Sequence, residues 1–228
     1  MKILALDTAT EACSVALQIG DTILERYVEL ERGHAERLLP MVDELLAESG
    51  LALGALDAIA FGRGPGGFTG VRLAASVAQG LAFGAGLGVV PVSDLAAVAQ
   101  RALSHSPEIA GVLAVNDARM REVYWATFRV AGGIEAVSEE WVGPSSRVVV
   151  PGSSPEAASW VAAGRGLRAA PELAERCRLA GMTVLADLLP RATEVLLLAQ
   201  PVVETGRLLP PEGALPVYVR DKVVASAM

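Results

Sequence analysis

Leu4-Ala5-Leu6-Asp7-Thr8, then Cys13 to Ile19, then Thr22 to Glu29, is the stretch that sets the architecture. Cys13, Val15, Leu17 and Ile19 alternate with Ser14, Ala16 and Gln18, the period of two that marks a strand. Gly20-Asp21 makes a tight turn into a second strand-like run, so the chain opens as a three-strand meander whose first strand ends in an aspartate. The same order returns later. Leu113-Ala114-Val115 runs into Asn116-Asp117; Val123–Val130 is rich in aromatic and β-branched residues; Gly132-Gly133 turns the chain into a third strand, Ile134–Val142.

Between the two meanders the period changes. Leu38, Val42, Leu45 and Leu46 recur at helical spacing in a segment that starts at His34 and stops near Ser49-Gly50. Ala58–Phe61 reads as a short buried strand, Gly62–Gly70 as a glycine-rich loop, and Val71 to Phe83 as a helix. Val89–Val92 is a further strand and Leu95–Leu103 a further helix. Beyond the second meander the pattern predicts a strand at Val148–Val150, a helix over Pro155–Ala163 and a loop-rich stretch over Arg168–Arg191. A helix around Thr193–Ala199 and a proline-punctuated tail from Pro210 to Met228 complete the chain. Two successive β-β-β-α-β-α units, each opening with a strand that ends in Asp, predict an α/β chain of two related halves facing a cleft, the actin-like (acetate kinase/sugar kinase) ATPase fold. The expected division is a first half at residues 1–104, a degenerate second half at 105–190, and a C-terminal helix and tail at 191–228 packing back on the first half.

The composition suits such a fold. Of 228 residues, 52% are hydrophobic and only 4% aromatic, so the core is built from Ala, Val and Leu. The formal charge of −7 offers no electrostatic footprint for direct nucleic-acid binding, and any RNA partner is expected to be held mainly by another chain. Cys13 and Cys177 are far apart and form no CxxC, the usage of a reduced, cytosolic protein. Asp7 and Glu11 interrupt the apolar opening before an apolar core of signal-peptide length can form. No run of about 18 uncharged apolar residues marks a membrane span. The expected location is the cytoplasm.

Gly62-Arg63-Gly64-Pro65-Gly66-Gly67-Phe68-Thr69-Gly70 is the most distinctive segment. It lies between a strand and a helix, where free backbone N–H groups can hold an anion. It matches G-x-G-x-x-G formally, but the acidic residue a dinucleotide site wants about 20 residues later is absent; Asp94 lies past the next strand. It also nearly matches a phosphate-binding P-loop, with Thr69 in the Ser/Thr place, yet Phe68 stands where the lysine belongs. The alternative is a tight turn that needs glycine for close backbone packing. Candidate nucleotide or phosphate contacts are Asp7, Thr8, Thr10, Gly66, Gly67, Thr69 and Asp117. Asp7 and Asp117 suit either a magnesium ion held through water or the capping of a turn at a strand end.

The segment Gly64 to Arg72 resembles, without a change, the GPGGFTGVR signature of the TsaB (YeaZ) family. The opening Leu4-Ala5-Leu6-Asp7-Thr8, the run His34-Ala35-Glu36-Arg37-Leu38-Leu39-Pro40, Asp117-Ala118-Arg119 with Glu122-Val123-Tyr124, and Pro216-Val217-Tyr218-Val219-Arg220 follow in the family order. Only about Gly143–Pro190 carries no such signal. The resemblance implies the actin-like fold and a required but non-catalytic subunit that pairs with TsaD. TsaD is a paralogue that transfers a threonylcarbamoyl group to adenosine 37 of tRNAs reading codons that begin with A. A small ATPase, TsaE, joins them, and tRNA is met through the complex. It also implies that helices His34–Ser49 and Val71–Phe83 form a four-helix bundle in homodimers and in heterodimers with TsaD, with His34, Leu38, Val42, Leu45, Arg72, Ala75, Ala78 and Gln79 at the interface. The second helix, with Ala74, Ala75, Ser76, Ala78, Gly80 and Ala82, has the small residues that close helix approach needs.

The residues themselves argue against chemistry in this chain. The transferase's H-x-E-G-H metal motif aligns with Ser93-Asp94-Leu95-Ala96-Ala97-Val98, which lacks both histidines. His34 and His105 lie in different elements, and a metal needs three or four converging donors, so no metal site is expected. No G-x-S-x-G elbow is present, and Cys13 has no histidine near it in sequence to serve as base. Arg119 and Arg121 crowd the second turn, where a phosphate clamp wants small residues. No catalytic residue and no cofactor are expected of the chain alone, with ATP or ADP and magnesium entering, if at all, at the level of the complex. The competing reading is a stand-alone actin-like ATPase or small-molecule kinase.

Overall fold

The computed structural model describes residues 1–151 and 159–220. β1 (Lys2–Asp7), β2 (Ala12–Ile19) and β3 (Thr22–Glu29) form the expected antiparallel meander. α1 (His34–Ser49) begins after Gly33 and ends at Gly50, both left-handed, and leads to β4 (Ala58–Gly62), which pairs parallel with β1. α2 (Phe68–Ala85), β5 (Gly88–Val92) and α3 (Asp94–His105) follow. The first sheet has the order β3-β2-β1-β4-β5.

β6 (Gly111–Asp117) and β7 (Glu122–Val130) open the second sheet as an antiparallel pair. β8 (Ile134–Ala136) and β9 (Trp141–Pro144) both pair with β7; β10 (Trp160–Ala163) lies parallel to β6, and β11 (Thr183–Leu185) parallel to β10. Its order, β11-β10-β6-β7-β8, is the first sheet's order repeated: meander on one side of the central strand, two parallel strands on the other. That repetition is the actin-like arrangement.

The long helices are shared between the sheets. α1 and α2 cover the outer face of the first sheet, with Leu38, Val42, Leu45, Ala75, Ala78 and Ala82 packed on Leu4, Leu6, Ile59 and Phe61. α4 (Gly166–Ala169) and α5 (Pro171–Leu179) cover the outer face of the second through Leu167, Leu173 and Cys177. Between the sheets, α3 packs on β6, β7 and β10, whereas α6 (Ala192–Glu204) packs on β1, β2, β4 and β5, and the two helices touch. Each inner face is thereby closed by a helix from the far side of the chain's midpoint or from its border.

Several sequence expectations are corrected. Ile134–Val142 is two strands rather than one. Ser138 turns back to accept from Thr127 N (2.9 Å), and Glu140 is drawn to Arg63 of the first half, so the alternation breaks there. Val148–Val150 is not a strand: a 3-10 turn at Ser145–Arg147 precedes it, and Arg176 donates to the carbonyls of Ser145 and Val148, at 3.0 and 2.7 Å. Of the helix predicted over Pro155–Ala163, residues 155–158 lie outside the described residues, and Trp160–Ala163 is β10. Arg168–Arg191 holds α4, α5 and β11 instead of loop. Leu173 and Cys177 are one helical turn apart on the buried side of α5, whose arginine-rich outer face hides the period. α2 begins at Phe68, three residues before the predicted start, because Gly70 sits in its first turn for closeness rather than for a bend. A Cβ there would lie 1.9 Å from the Thr8 carbonyl oxygen. α6 continues past Ala199 to Glu204 and carries Pro201 within it.

Candidate functional site

A cleft of about 610 Å³ lies where the two meanders face each other. Its walls are the β1–β2 turn, the N-termini of α1 and α2, the β6–β7 hairpin and the segment Val217–Arg220. The two hairpins are built alike. Asp7 Oδ1 accepts from Ala9 N at 2.8 Å, and Asp117 Oδ1 accepts from Arg119 N at 2.8 Å, so each aspartate caps its own turn.

Thr8, Thr10, Gly66, Gly67, Thr69 and Asp117 all line the cleft. Asp7 does not. It is fully buried, and its carboxyl meets that of Asp94, the first residue of α3, over the α-carbon of Gly62. A Cβ at Gly62 would stand 2.6 Å from Asp94 Oδ1 and 3.1 Å from Asp7 Oδ1. Burial pushes Asp7 up to about 6, against backbone hydrogen bonds that pull it down; burial and then the Asp7 charge push Asp94 well above the usual carboxylate range. Two carboxyls buried this close disfavour a second negative charge, so the pair favours holding one proton between them. Of the two roles read for Asp7 and Asp117, the geometry has both capping their turns: Asp7 is sealed in this acid pair, and Asp117 is bound to Arg119.

The glycine-rich loop is resolved in favour of close packing. Gly67 N donates to Ala9 O at 2.7 Å, and a Cβ on Gly66 would lie 2.4 Å from the same oxygen. The loop is spliced onto the β1–β2 turn with no room for a triphosphate between them. Phe68, in the place of a P-loop lysine, lies under the Arg72 guanidinium at 3.7 Å, and its ring is 5.7 Å from that of Tyr218. The residues present do not fit a magnesium–triphosphate clamp.

The hairpin tip is strained. Arg119, Met120 and Arg121 take φ values of 61°, 54° and 62°, a left-handed run without glycine that costs roughly 1–2 kcal/mol per residue. Two arginines hold it. Arg119 reaches across the cleft to Glu11 (2.7 Å), and Arg220 donates to Ala118 O (3.3 Å) and to Glu122. Deeper in, Arg63 makes a two-pronged bond to Glu140 at 3.1 Å on both oxygens, tying the end of β4 to the β8–β9 loop. Sequence reading missed Glu140, Glu11 and the acid partner role of Asp94, since nothing in one dimension shows that they meet.

The expected interface residues are mostly turned inward. Leu38, Val42, Leu45, Ala75 and Ala78 are all buried in the chain's own core. The His34 ring is 2.9 Å from Thr10 O, and Gln79 donates to Pro211 O at 3.2 Å. The alanine face of α2 is what lets that helix approach the sheet. Its outer face is a different stripe: Arg72, Ser76, Gly80, Phe83 and Gly84, flanked by half-buried Leu73 and Val77. Phe83 is 73% exposed. Among the described residues, nothing comes within 4 Å of a Cβ placed on Gly80 or Gly84.

Burial pushes the Cys13 and Cys177 thiols up to about 11, and the His105 ring bonds Arg101 O. Among the described residues, no group of three or more His, Cys, Asp or Glu is arranged to hold a metal, and no helix is long and apolar enough to cross a membrane.

The chain is 42% identical to the tRNA threonylcarbamoyladenosine biosynthesis protein TsaB of Escherichia coli, over 98% of this chain and 96% of that one. It is a member of the TsaB family. A family model described as TsaD, tRNA N6-adenosine threonylcarbamoyltransferase, matches residues 28–187, so the TsaB chain shares that wider group's architecture. The structure of YeaZ from Pseudomonas aeruginosa superposes with a TM-score of 0.83 at 46% identity, covering 95% of this chain and 99% of that one. A second Pseudomonas aeruginosa structure, described as similar to peptidase YeaZ, gives 0.85 at 45% identity, with coverage of 96% and 99%. The TsaB relatives thus match across both halves and the C-terminal helix, with the cleft inside the shared region.

Proposed function

We propose that this chain serves tRNA threonylcarbamoyladenosine biosynthesis in the cytoplasm as a non-catalytic subunit, docking the TsaD transferase through the outer face of α2 beside α1 and pairing with itself through the same face when alone. TsaD transfers the group to adenosine 37 of tRNAs reading codons that begin with A; the TsaE ATPase joins the pair, and tRNA is held by the complex. Intrinsic ATPase, kinase or protease activity is not part of this role.

The observation that carries the reading is the pair Gly80 and Gly84. Glycine inside a helix costs about 0.5–1 kcal/mol relative to alanine. Where a close neighbour fills the space, that cost has an internal reason, as at Gly70. At Gly80 and Gly84 no such neighbour exists among the described residues, while the Phe83 ring between them stands exposed. A helix from another molecule, seated on the bare backbone and capped by Phe83, supplies the missing reason. The name of the relatives supplies the process.

The test is reconstitution of the tRNA modification with TsaD, TsaE and the adenylate-forming enzyme, with and without this chain and with a Ser76→Glu, Gly80→Glu variant. Activity should require the wild-type chain and be lost with co-elution in the variant, whose melting temperature stays near wild type because both positions are exposed. Full activity with the chain omitted would refute the role.

A further inference from the structure

Residues 214–220 belong to neither sheet, yet they run from one half of the molecule to the other. The root of this segment is fixed on the first half. Leu209 bridges to Val89 of β5, Gln79 of α2 donates to Pro211 O at 3.2 Å, and Ala214 is buried in the core that α1 and α2 share with the first sheet. Val217 N donates to Arg63 O at 2.7 Å, the segment's one backbone bond outside its own turn among the described residues. Gly64 lies so close beneath it that a Cβ there would stand 2.9 Å from Val217 O. The tip is on the second half. Arg220 donates to Ala118 O at 3.3 Å and to Glu122, the two residues that flank the left-handed run at Arg119, Met120 and Arg121. Arg119 holds the same run through Glu11 and Asp117, so Arg220 is one of two anchors.

Between root and tip stands Tyr218. Its ring is 5.7 Å from that of Phe68, and its hydroxyl accepts from Arg72 Nε at 2.5 Å. Among the described residues it makes no hydrogen bond or ring contact with the β6–β7 hairpin. Two residues of chain span at most about 7 Å, so a segment lifted at Tyr218 cannot keep Arg220 in its place. With one long-range backbone bond and with Leu215 and Tyr218 exposed, this segment lies at the low-stability end of the molecule. Arg72 is exposed too, on the outer face of α2. A neutral hydroxyl is a weaker acceptor for its guanidinium than a carboxylate, whose two oxygens match the fork.

We propose that residues 214–220 are a strap coupling the outer face of α2 to the β6–β7 hairpin: a partner carboxylate that takes Arg72 from Tyr218 lifts the strap, and Arg220 then releases Ala118 and Glu122. The relay is short, from Arg72 through Tyr218 and Arg220 to Glu122. The strap itself is independent of the docking reading above, whereas its release by a partner rests on that reading.

Hydrogen exchange at the Ala118 and Glu122 amides, which donate to Glu122 O and Arg119 O within the hairpin, tests both steps. In the dilute, unpaired chain, Tyr218→Ala should speed both amides about threefold or more, Arg220→Gln should do the same, and the double variant should add little to either. Unchanged exchange in Tyr218→Ala, or effects that multiply in the double variant, overturns the strap. Where Tyr218→Ala lowers the melting temperature, Tyr218→Phe, which keeps the ring and loses only the hydroxyl, replaces it. Purified TsaD at saturation should speed the same amides in wild type and leave those of Tyr218→Ala as they are. TsaD that binds while wild-type exchange is unchanged or slowed overturns release by the partner. TsaD that does not bind overturns the docking reading instead, and the isolated variants still decide the strap.

Discussion

The carboxyls of Asp94 and Asp7 meet in a space with no exposed surface on either residue, and Gly62 is the residue whose missing side chain makes the meeting fit. Burial of two acids side by side at the junction of β1, β4 and α3 favours one shared proton.

The consequence for pH has a definite sign. Both carboxyls are raised in the folded chain above their unfolded values, so the folded state binds more protons. Their contribution to stability is full below the unfolded carboxylate range and is lost as pH rises through the folded values, about 6 for Asp7. Thermal melting from about pH 4.5 to about 8 should show this fall as a melting temperature that declines with rising pH. Asp94→Asn, which keeps a donor to Asp7 without a proton to lose, should flatten it. A wild-type curve with the same slope as Asp94→Asn would exclude the shared proton.

Gly80→Ala separates stability from association. The isolated chain should gain about 0.5–1 kcal/mol, since the added methyl meets nothing among the described residues and helix entropy improves. The same methyl should weaken self-association and TsaD binding, read by analytical ultracentrifugation. A variant that gains stability and still associates as wild type would remove Gly80 from the interface.

Gly70→Ala is the contrasting case within the same helix. The added Cβ would overlap the Thr8 carbonyl oxygen, so the loop must part from the β1–β2 turn. The expected loss is on the order of 1–3 kcal/mol in urea unfolding, the range of an overpacked core.

Arg63→Ala leaves Glu140 without its two-pronged partner in a site where the two side chains are 24% and 16% exposed. A destabilisation of about 1–3 kcal/mol is expected, less than for a fully buried pair. Glu140→Gln, which keeps an acceptor for the guanidinium, should recover part of it. Equal losses in the two variants would mean that charge, not geometry, holds this tie.

The meanders, α1 and the second Asp-ended strand were legible because each repeats a local period: two for strands, 3.6 for helices, with glycine at the ends. α5 was not legible, since three buried positions on a nine-residue helix with arginine at Arg176 and Arg178 leave no clear stripe. The composition of α2 was read correctly as small, but smallness serves two faces. Ala75 and Ala78 bring the helix onto its own sheet, whereas Ser76 and Gly80 leave the opposite side bare; spacing alone does not say which is which. In the cleft, the aspartates that end β1 and β6 were visible as a repeated pattern. The meeting of Asp7 with Asp94 and the Glu11–Arg119 and Arg63–Glu140 ties were not, because each joins residues that lie far apart in sequence.

The seating of α6 on β1, β2, β4 and β5 bears on how the chain is made. When residues 1–92 have left the ribosome, all five strands of the first sheet exist, but one of its faces has no cover until Ala192–Glu204 follows. At translation speeds of about 5–20 residues per second, that interval lasts roughly 5–20 s. During it, Ile3, Ala5, Ala60 and Val90 present an apolar surface that stays open to wrong contacts until α6 arrives.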